Sequence, residues 1–381
     1  MDKLALFGGE PTISTEFPRY NSLGKEEVEA AQAVIESGVL SQYIGACHED
    51  FLGGPKVKEF EAAICEYFNV KHAVTVNSWT SGLVAAIGAI GIEPGDEVIV
   101  TPWTMSASAT AILHWNAIPV FADIDPLTYN LCPSSIEENI TPYTKAIMVA
   151  DIFGLSADMN AINALARKHN LKVISDTAQA PGAEYYDRFA GTCADIGGFS
   201  LNYHKHIHTG EGGILVTNDD DLAEKLQLIR NHAEVVVAGN GRKDIVNMVG
   251  HNFRLGEIEC AIGIEQLKKL PAILAERQGL ANLLTDKLKD LPGLILPEVP
   301  AGSTHVYYVF PMQIDENIIV VSREEICDAL MAEGVNVIRH YQNTHLLPKY
   351  QQKIAFGRNG FPWTSEFCKR DVNYEKGICP I

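Results

Sequence analysis

The chain has 381 residues, of which 46% are hydrophobic, and its formal net charge at pH 7 is -18. This length and composition predict a large hydrophobic core divided between a larger and a smaller domain. The negative charge argues against a nucleic-acid partner, because a phosphate backbone attracts basic surfaces. The eight cysteines show no regular spacing that would indicate a disulfide framework, which is typical of proteins from a reducing cytoplasm. The sequence shows neither the pattern of a signal peptide nor a stretch of roughly 18 apolar residues that could span a membrane. We therefore expect a cytoplasmic protein without a membrane partner.

Strand-like and helix-like patterns alternate along the first two thirds of the chain. Alternation at this spacing predicts an α/β fold, with a mainly parallel sheet flanked by helices on both faces. Ligands of such folds bind at the carboxyl ends of the strands. The predicted strands cover 73–76, 96–101, 118–124, 145–153, a short segment from 172, and 213–218, and the predicted helices cover 26–37, 83–87, 159–169 and 220–232.

The pattern changes near Arg254. Two long helical stretches, 255–270 and 271–291, are expected to be separated at Pro271, because proline breaks helices. Beyond them the sequence predicts a small α/β unit with a strand, a helix and a strand over 305–314, 322–333 and 335–340. We therefore predict a large domain of residues 1–254 and a smaller C-terminal domain of residues 255–381.

The segment 199–213 places one lysine, Lys205, among histidines and glycines. An amine attacks a carbonyl only when unprotonated, so a reactive lysine needs its pKa lowered from about 10.4 by burial or nearby positive charge. Lys205 is thus a candidate Schiff-base residue, with a solvated loop lysine as the alternative. His204, His206 and His208 would share one face of a strand, as in a metal site. The glycine-rich continuation favours a bent segment and no metal.

Two further segments could serve a cofactor of the pyridine type. Asp176 emerges at the end of a predicted strand, where a carboxylate can keep a pyridine nitrogen protonated. A turn aspartate bonded to its own backbone is the alternative. After the strand that ends near Val76, the small hydroxyl residues Thr80 and Ser81 open a helix. Such a turn can bind a phosphate through its N–H and O–H groups, although these residues can also be plain N-caps.

Together these segments resemble the DegT-type (DegT/DnrJ/EryC) sugar aminotransferases, fold type I enzymes that use pyridoxal 5'-phosphate (PLP) and mostly act on nucleotide-linked keto-sugars. The resemblance extends from about residue 17 to residue 381. Several motifs in one order are more specific than any single one. They are Gly53-Gly54-Pro55 with Phe60-Glu61, 77–83, Pro102-Trp103-Thr104, 176–182, 199–213 and Asn252-Phe253-Arg254.

The resemblance implies a role for each matched residue. Lys205 matches the lysine that binds the cofactor covalently and later moves a proton between cofactor and substrate. Asp176 matches the partner of the pyridine nitrogen. Asn252 matches a residue that reaches the phosphate of a neighbouring subunit's cofactor, which implies a homodimer with shared active sites. The other implied cofactor ligands are Thr80, Ser81 and Ser200 at the phosphate and Gln179 near the ring hydroxyl.

Some positions depart from the family pattern. Met105 stands where an aromatic residue usually stacks on the cofactor ring, and a thioether can also pack on a ring. Asp151 replaces a common histidine, so the family's sugar-pocket shape and polarity do not carry over directly and a sugar acid without a nucleotide stays an open alternative. Tyr341 and His345 resemble a substrate-side motif, with a structural role as the alternative. Related chains usually continue into a terminal helix, so we expect a shortened chain.

The resemblance thus predicts a PLP-dependent aminotransferase that moves an amino group to a keto-sugar. The expected amino donor is glutamate, and the expected keto-sugar is nucleotide-linked, as in most members of this family. Alternatives are a keto-sugar acid without a nucleotide, dehydration of the sugar, or a non-catalytic regulatory protein. Dehydrating members typically have histidine at the lysine position, so Lys205 favours transamination. An anionic substrate needs local cations in so acidic a chain, and Arg339 and His340 are candidates.

Overall fold

A seven-stranded sheet forms the centre of the molecule in the computed structural model, which describes residues 3–239, 241–339 and 341–381. The strand order is β1-β7-β6-β5-β4-β2-β3. The strands are β1 (His72–Val76), β2 (Glu97–Val100), β3 (Ile118–Phe121), β4 (Thr144–Ala150), β5 (Lys172–Asp176), β6 (Ile196–Ser200) and β7 (Gly213–Thr217).

The sheet is mainly parallel. Strands β3, β2, β4, β5 and β6 pair in parallel, whereas β7 pairs antiparallel with both β6 and β1. Strand β1 therefore runs in the same direction as β6, and the carboxyl ends of six strands lie along one edge. This edge is where open α/β sheets bind ligands. The predicted α/β fold class is confirmed.

Helices cover both faces of the sheet, because the apolar side chains of the strands point alternately to each face. On β7, Leu215 belongs to one hydrophobic cluster, and Ile214 and Val216 belong to the other. The helices are α1 (Lys25–Ser37), α2 (Pro55–Phe68), α3 (Trp79–Ala89), α4 (Ala107–His114), α5 (Pro133–Asn139), α6 (Met159–His169), α7 (Asp220–Arg230), α8 (Ala233–Val236), α9 (Glu257–Leu288), α10 (Arg323–Ala332) and α11 (Pro348–Gln351).

The elements 159–169 and the strand from 172 are observed as predicted, and the other elements of the first 254 residues differ by a few residues at their ends. Helix α6 shows why its bounds are clear in the sequence. The Asp158 carboxylate accepts a hydrogen bond from the Ala161 N–H at 3.1 Å, and Asn170 ends the helix with a φ of 54°. Both residue types are favoured at these positions.

The predicted break at Pro271 is wrong, because one helix, α9, continues through this residue. A proline inside a helix costs about 3 kcal/mol or more. Around Pro271, however, Leu267, Leu270, Ile273 and Leu274 are all buried. Burial of each such side chain contributes about 1.5–3 kcal/mol, so packing outweighs the lost backbone bond.

The predicted strands 305–314 and 335–340 are also wrong over most of their length. Within 305–314, only Gln313–Ile314 forms a short strand, and His305 makes an isolated bridge to Leu155. Tyr307 has a φ of 48°, which interrupts the extended conformation. Residues 335–339 form no strand, and position 340 lies outside the described residues.

The division of the chain at residue 254 stays a prediction. Helix α9 packs against α1 and α2. Further along the chain, Tyr350, Val372 and Tyr374 belong to the same hydrophobic cluster as one face of the sheet. The Tyr374 hydroxyl donates a hydrogen bond to the Pro119 carbonyl at 2.7 Å. Across the described ranges, no helix combines the length and the apolar character that crossing a membrane requires.

Candidate active site

The ends of β1, β5 and β6 bring the predicted cofactor residues to one edge of the sheet. Gly213, the first residue of β7, pairs with both Val76 on β1 and Ser200 on β6. A Cβ atom at Gly213 would lie 2.8 Å from the Cα atom of Trp79, the first residue of α3. Only glycine fits this position, and its absence of a side chain lets α3 begin directly against the sheet.

Lys205 lies in the turn between β6 and β7. Its N–H donates a hydrogen bond to the Asn202 carbonyl at 2.9 Å. Its amine lies 4.3 Å from the centre of the Tyr308 ring. Burial lowers the pKa of Lys205 from 10.5 to about 8, and the negative charge of Asp176 opposes this shift. The lowered pKa increases the unprotonated fraction of the amine, which is the form that covalent chemistry requires.

The three alternating histidines lie in a series of turns, as the sequence analysis expected, and not in a strand. His206 is buried, and its Nε2 atom lies 2.9 Å from the Val306 carbonyl oxygen. Burial lowers the pKa of His206 to about 3, so this ring is neutral. His204 lies beside Tyr203 and Tyr308 instead. The rings therefore have separate environments and act as local packing groups around Lys205.

Asp176 ends β5 and is buried. Its Oδ1 atom accepts a hydrogen bond from the Trp79 indole N–H at 2.6 Å, and its Oδ2 atom accepts one from the Ser108 hydroxyl at 2.7 Å. A turn aspartate bonded to its own backbone is the alternative. The only bond of that kind among the described residues is a long one, from the Ala178 N–H to Oδ1 at 3.4 Å. A carboxylate offers about four acceptor sites, so Asp176 can accept a further donor such as a ring N–H.

The first turn of α3 has the geometry of an anion site. Ser78 is the N-cap, and its hydroxyl accepts a hydrogen bond from the Ser81 N–H at 3.1 Å. The Ser81 hydroxyl donates to the Asn77 side chain at 2.7 Å, and the Thr80 side chain is exposed. The helix dipole favours a negative charge at this end. The roles of Thr80, Ser81 and the buried Ser200 as phosphate ligands stay predictions.

Gln179 joins the site to the C-terminal part of the chain. Its side-chain carbonyl accepts a hydrogen bond from the Phe153 N–H at 2.9 Å, and its amide donates to the Tyr341 hydroxyl at 2.7 Å. The Tyr341 ring stacks on Phe153, with ring centres 5.9 Å apart. Gln179 is thus fixed in orientation by two partners, and Tyr341 lies within one hydrogen bond of a predicted cofactor ligand.

His345 occupies a different region of the sheet. Its buried ring lies 5.9 Å from Phe121, at the end of the edge strand β3. Strand β3 is three strand spacings from β5, which is about 14 Å at about 4.8 Å per strand. Burial lowers the pKa of His345. In the described part of the chain, no contact joins His345 to Lys205 or Asp176, and its substrate role stays a prediction.

Two predicted ligands are exposed at the surface of this single chain. The Met105 side chain is 62% exposed. The Asn252 side chain is also exposed, and its backbone carbonyl accepts a hydrogen bond from the Asn77 side chain at 3.2 Å. Asn252 therefore lies beside the first turn of α3 in its own subunit. The contact of Asn252 with a neighbouring subunit's cofactor stays a prediction.

Asp151, at the position of the common family histidine, lies behind the end of β5. Its carboxylate is buried and accepts hydrogen bonds from the hydroxyls of Ser175 at 2.9 Å and Thr177 at 2.6 Å and from the Ala157 N–H at 3.0 Å. Burial raises the pKa of Asp151 to about 6. Since Ser175 and Thr177 flank Asp176, Asp151 anchors the end of β5 from behind.

The sequence analysis missed Trp79, Ser108 and Tyr308 as parts of the site. Trp79 lies inside the quoted segment 77–83, but nothing in its local pattern indicates that its indole N–H reaches Asp176, 97 positions away. Ser108 is 68 positions from Asp176. The aromatic run 305–310 could have been noticed as a candidate cover for a binding site, because clustered aromatic residues frequently line ligand pockets.

The arrangement fits a phosphorylated pyridine aldehyde. Lys205 supplies an amine with a lowered pKa, Asp176 supplies a buried carboxylate with free acceptor sites, and α3 supplies a positive helix end. These are the three kinds of group that bind the aldehyde, the ring nitrogen and the phosphate of PLP. No group of histidine, cysteine and acidic side chains suited to a metal ion occurs among the described residues.

Comparisons with known proteins agree with this arrangement. The family model of the DegT/DnrJ/EryC1/StrS aminotransferase family matches residues 22–375. The spore coat polysaccharide biosynthesis protein SpsC of Bacillus subtilis is 36% identical over 358 residues, 92% of this chain and 89% of SpsC. GDP-perosamine synthase of Caulobacter vibrioides is 38% identical over 298 residues, 78% of this chain and 79% of that protein.

Among solved structures, Helicobacter pylori PseC, an aminotransferase involved in the biosynthesis of pseudoaminic acid, superposes with a TM-score of 0.78. The two chains share 31% identity, and the match covers 91% of each. The family match and the structural match each span most of the sequence. The chain therefore belongs to the DegT/DnrJ/EryC1/StrS aminotransferase family and is a PLP-dependent sugar aminotransferase of fold type I.

Proposed function

We propose that this protein moves an amino group from glutamate to a keto-sugar that carries a nucleotide, with Lys205 as the catalytic residue. The observation that carries this proposal is the position of the Lys205 amine, buried against Tyr308 and within the electrostatic influence of Asp176. Two relatives support the sugar class, since one is named as a GDP-perosamine synthase and another as a protein of polysaccharide biosynthesis.

PLP, when bound, supplies an electron sink for the carbon from which a proton is removed. The residues of the chain divide the remaining work. The amine of Lys205, in its unprotonated form, would take that proton from the substrate carbon and return it to the cofactor carbon, and its lowered pKa makes this form easier to reach. Asp176 holds the ring nitrogen in its protonated form through its negative charge. The first turn of α3 would hold the phosphate of the cofactor.

The net charge of -18 requires a local cation for an anionic substrate. Arg339 is engaged by Asp328 on the surface, and His340 lies outside the described residues. Arg277 on α9 is better placed. One of its terminal nitrogens donates to the Tyr307 carbonyl at 2.9 Å, and its side chain lines a cavity with Tyr307, Tyr308 and Phe310. Its other N–H groups have no hydrogen-bond acceptor among the described residues.

Arg277 is therefore the proposed anchor for the anionic part of the sugar substrate. A guanidinium binds phosphate and carboxylate oxygens through paired N–H groups. Tyr308 is one of the residues that line this cavity, and its ring also lies beside the Lys205 amine. An anion bound by Arg277 would thus belong to a molecule that extends toward the reacting amine, and the aromatic lining suits the flat rings of a nucleotide.

The protein is proposed to act as a homodimer. Exposed apolar side chains lie on α1, at Val28 and Ile35, and on the segment before Asn252, at Val246 and Val249. Their exposed fractions are between 50% and 65%. A symmetric interface that includes this segment would bring each Asn252 close to the partner subunit, as shared active sites require.

Separate half-reactions test the proposed activity. The holoenzyme is mixed first with glutamate or glutamine alone, and the aminated cofactor is then mixed with keto-sugars that carry a nucleotide, keto-sugar acids or free keto-sugars. Mass spectrometry of the sugar distinguishes gain of an amine from loss of water. Amination of a nucleotide-linked sugar is expected. Loss of water would favour the dehydratase alternative, and the absence of any half-reaction would favour a regulatory protein.

Arg277→Gln tests the anion anchor. We expect its KM for a nucleotide-linked keto-sugar to rise by about 10- to 100-fold, which corresponds to a lost charged hydrogen bond of about 1.5–3 kcal/mol. The rate with glutamate should be unchanged. Arg323→Gln is the matched control, since Arg323 is exposed and pairs with the adjacent Glu324. An equal loss with glutamate and with the sugar would assign Arg277 to the carboxylate of the donor or to structure instead.

A further inference from the structure

We infer that Trp79 and Ser108 are positioning residues that hold the Asp176 carboxylate in one orientation toward the ring nitrogen of the cofactor. The inference rests on the proposed role of Asp176. Trp79 donates to one carboxylate oxygen at 2.6 Å, and Ser108 donates to the other at 2.7 Å. Two donors on separate oxygens prevent rotation of the carboxylate plane, because any rotation lengthens both bonds.

The Trp79 ring is itself fixed by its neighbours. The ring is buried against β6, where a Cβ atom at Gly198 would lie 2.5 Å from two of its carbon atoms. On α3, a Cβ atom at Gly82 would lie 2.9 Å from the same ring. Glycine at both positions leaves a space that the indole ring fills, so the ring has little freedom to rotate. The indole N–H is therefore directed at Asp176 by packing, independently of its hydrogen bond.

Ser108 completes the arrangement from a second helix. It lies on α4, is fully buried, and has the Met105 carbonyl at 3.4 Å as its only other acceptor in the described chain. The short bond to Asp176 is thus its main interaction. Trp79 and Ser108 therefore support the orientation in which the carboxylate faces the ring nitrogen.

Trp79 also links the two ends of the cofactor site. It is the first residue of α3, whose first turn is the proposed phosphate site. Its side chain extends from there to the residue proposed for the ring nitrogen. The separation between the phosphate end and the pyridine end is therefore set by one buried side chain, and a change at Trp79 should alter how the ring is held without removing a cofactor ligand.

The hydrogen bond itself can be tested in the apoprotein. The chain contains four tryptophans, so each indole N–H signal in a 1H–15N spectrum can be assigned from single Trp→Phe variants. Asp176→Asn should shift the Trp79 indole signal and leave that of Trp115, which donates to the Val84 carbonyl at 2.7 Å. An unchanged Trp79 signal would overturn the inference without affecting the proposed reaction.

The positioning role is tested in the holoenzyme with Trp79→Phe, which removes the donor and keeps an aromatic ring. Its half-reaction with glutamate should slow about 10-fold or more, as expected for loss of a hydrogen bond to a charged group, and its bound-cofactor absorption spectrum should change. Trp115→Phe is the matched control, because it also removes an indole bond to α3. We expect a less than about 2-fold change in that variant.

A double-variant comparison separates positioning from a general structural effect. If Trp79 acts through Asp176, Trp79→Phe should have little further effect in an Asp176→Asn background. Equal losses in both backgrounds would overturn the inference. Ser108→Ala provides a second route to the same test should Trp79→Phe fold poorly. An Asp176→Asn variant with full activity would instead refute the proposed ring partner, while the apoprotein spectrum would still report the hydrogen bond.

Discussion

The amine of Lys205 lies 4.3 Å from the centre of the Tyr308 ring, although 103 positions separate the two residues in the sequence. The aromatic face attracts an ammonium group. Burial acts in the opposite direction and prevails, since the pKa of Lys205 is lowered. The ring therefore both orients the amine and removes water from it, and the following predictions depend on that combination.

The covalent link should involve Lys205. Borohydride treatment of the holoenzyme, followed by tryptic mass mapping, should place the cofactor on the peptide that contains this residue. Lys205→Ala should retain the cofactor through phosphate and ring contacts but lose turnover by about 100- to 10,000-fold, the range for a missing proton-transfer group. Lys172→Ala is a suitable control, since Lys172 is exposed and pairs with Asp195. Label on another lysine would refute the assignment.

The stability of the apoprotein should depend on pH through Lys205. Its pKa is about 8 in the folded state and 10.5 as the ordinary value. Between these values the unfolded chain binds more protons, so stability rises with pH across this window. A buried ammonium is therefore unfavourable below pH 8, and Lys205→Met should be more stable than the wild type there.

The advantage of Lys205→Met should shrink from pH 8 toward pH 10.5, because the wild-type amine becomes neutral in both states. Urea unfolding of both apoproteins at several pH values measures the difference directly. Other titrating groups are common to both proteins and cancel. A difference that stays constant with pH would show that the Lys205 pKa is not lowered in the folded chain.

Asp176→Asn should slow removal of the substrate proton severely, because a neutral side chain no longer favours the protonated pyridine. The two hydrogen bonds from Trp79 and Ser108 end on oxygen atoms, and an amide keeps only one oxygen acceptor. We therefore also expect a loss of about 1–3 kcal/mol in stability from an unpaired buried donor. Near wild-type half-reaction rates with glutamate would exclude the proposed role.

Asn252 tests the shared active site. If it binds the phosphate of the partner subunit's cofactor, Asn252→Ala should weaken PLP retention by about 1–3 kcal/mol, the cost of a lost bond to a charged group. The dimer should also bury more than the roughly 1,600 Å² of a standard interface, since it would include two active sites. Equilibrium dialysis and analytical ultracentrifugation provide these measurements.

Subunit mixing distinguishes a contact across the dimer from one within the chain, where Asn252 already contacts Asn77 through its backbone. Inactive Lys205→Ala subunits are exchanged with Asn252→Asp subunits, after the latter are shown to be inactive through repulsion of the phosphate. Shared sites give a heterodimer with one intact site and partial recovery of activity. Verified exchange without recovery would place Asn252 in its own subunit's site.

The sequence predicted those parts of the site that are encoded locally. Asp176 follows a buried strand, and Lys205 lies in a glycine-rich turn, so short segments were sufficient to select them. The residues that tune them could not be selected in this way, because Trp79 and Tyr308 meet them only through the packing of β6, α3 and the C-terminal segment. The partners of Asp151 could not be predicted for the same reason, since they are set by the register of β4 and β5.

The helix through Pro271 and the interrupted strand near Tyr307 show the same limit at the level of secondary structure. Local preferences predicted a break in the first case and continuity in the second. Buried leucines and isoleucines on both sides of Pro271 reversed the first preference. In the second, the bridge from His305 to Leu155 and the positive φ of Tyr307 place the aromatic side chains over the active-site turn.

The distance along the chain between Lys205 and Tyr308 has a consequence for biosynthesis. During translation, Lys205 leaves the ribosome long before residues 305–310 have been made, so the early chain carries an ordinary hydrated lysine. Its reactive state arises only when the bridge between Leu155 and His305 brings the aromatic segment onto the turn. Incomplete chains would then react poorly with free aldehydes in the cell, and loading with cofactor would mark the end of folding.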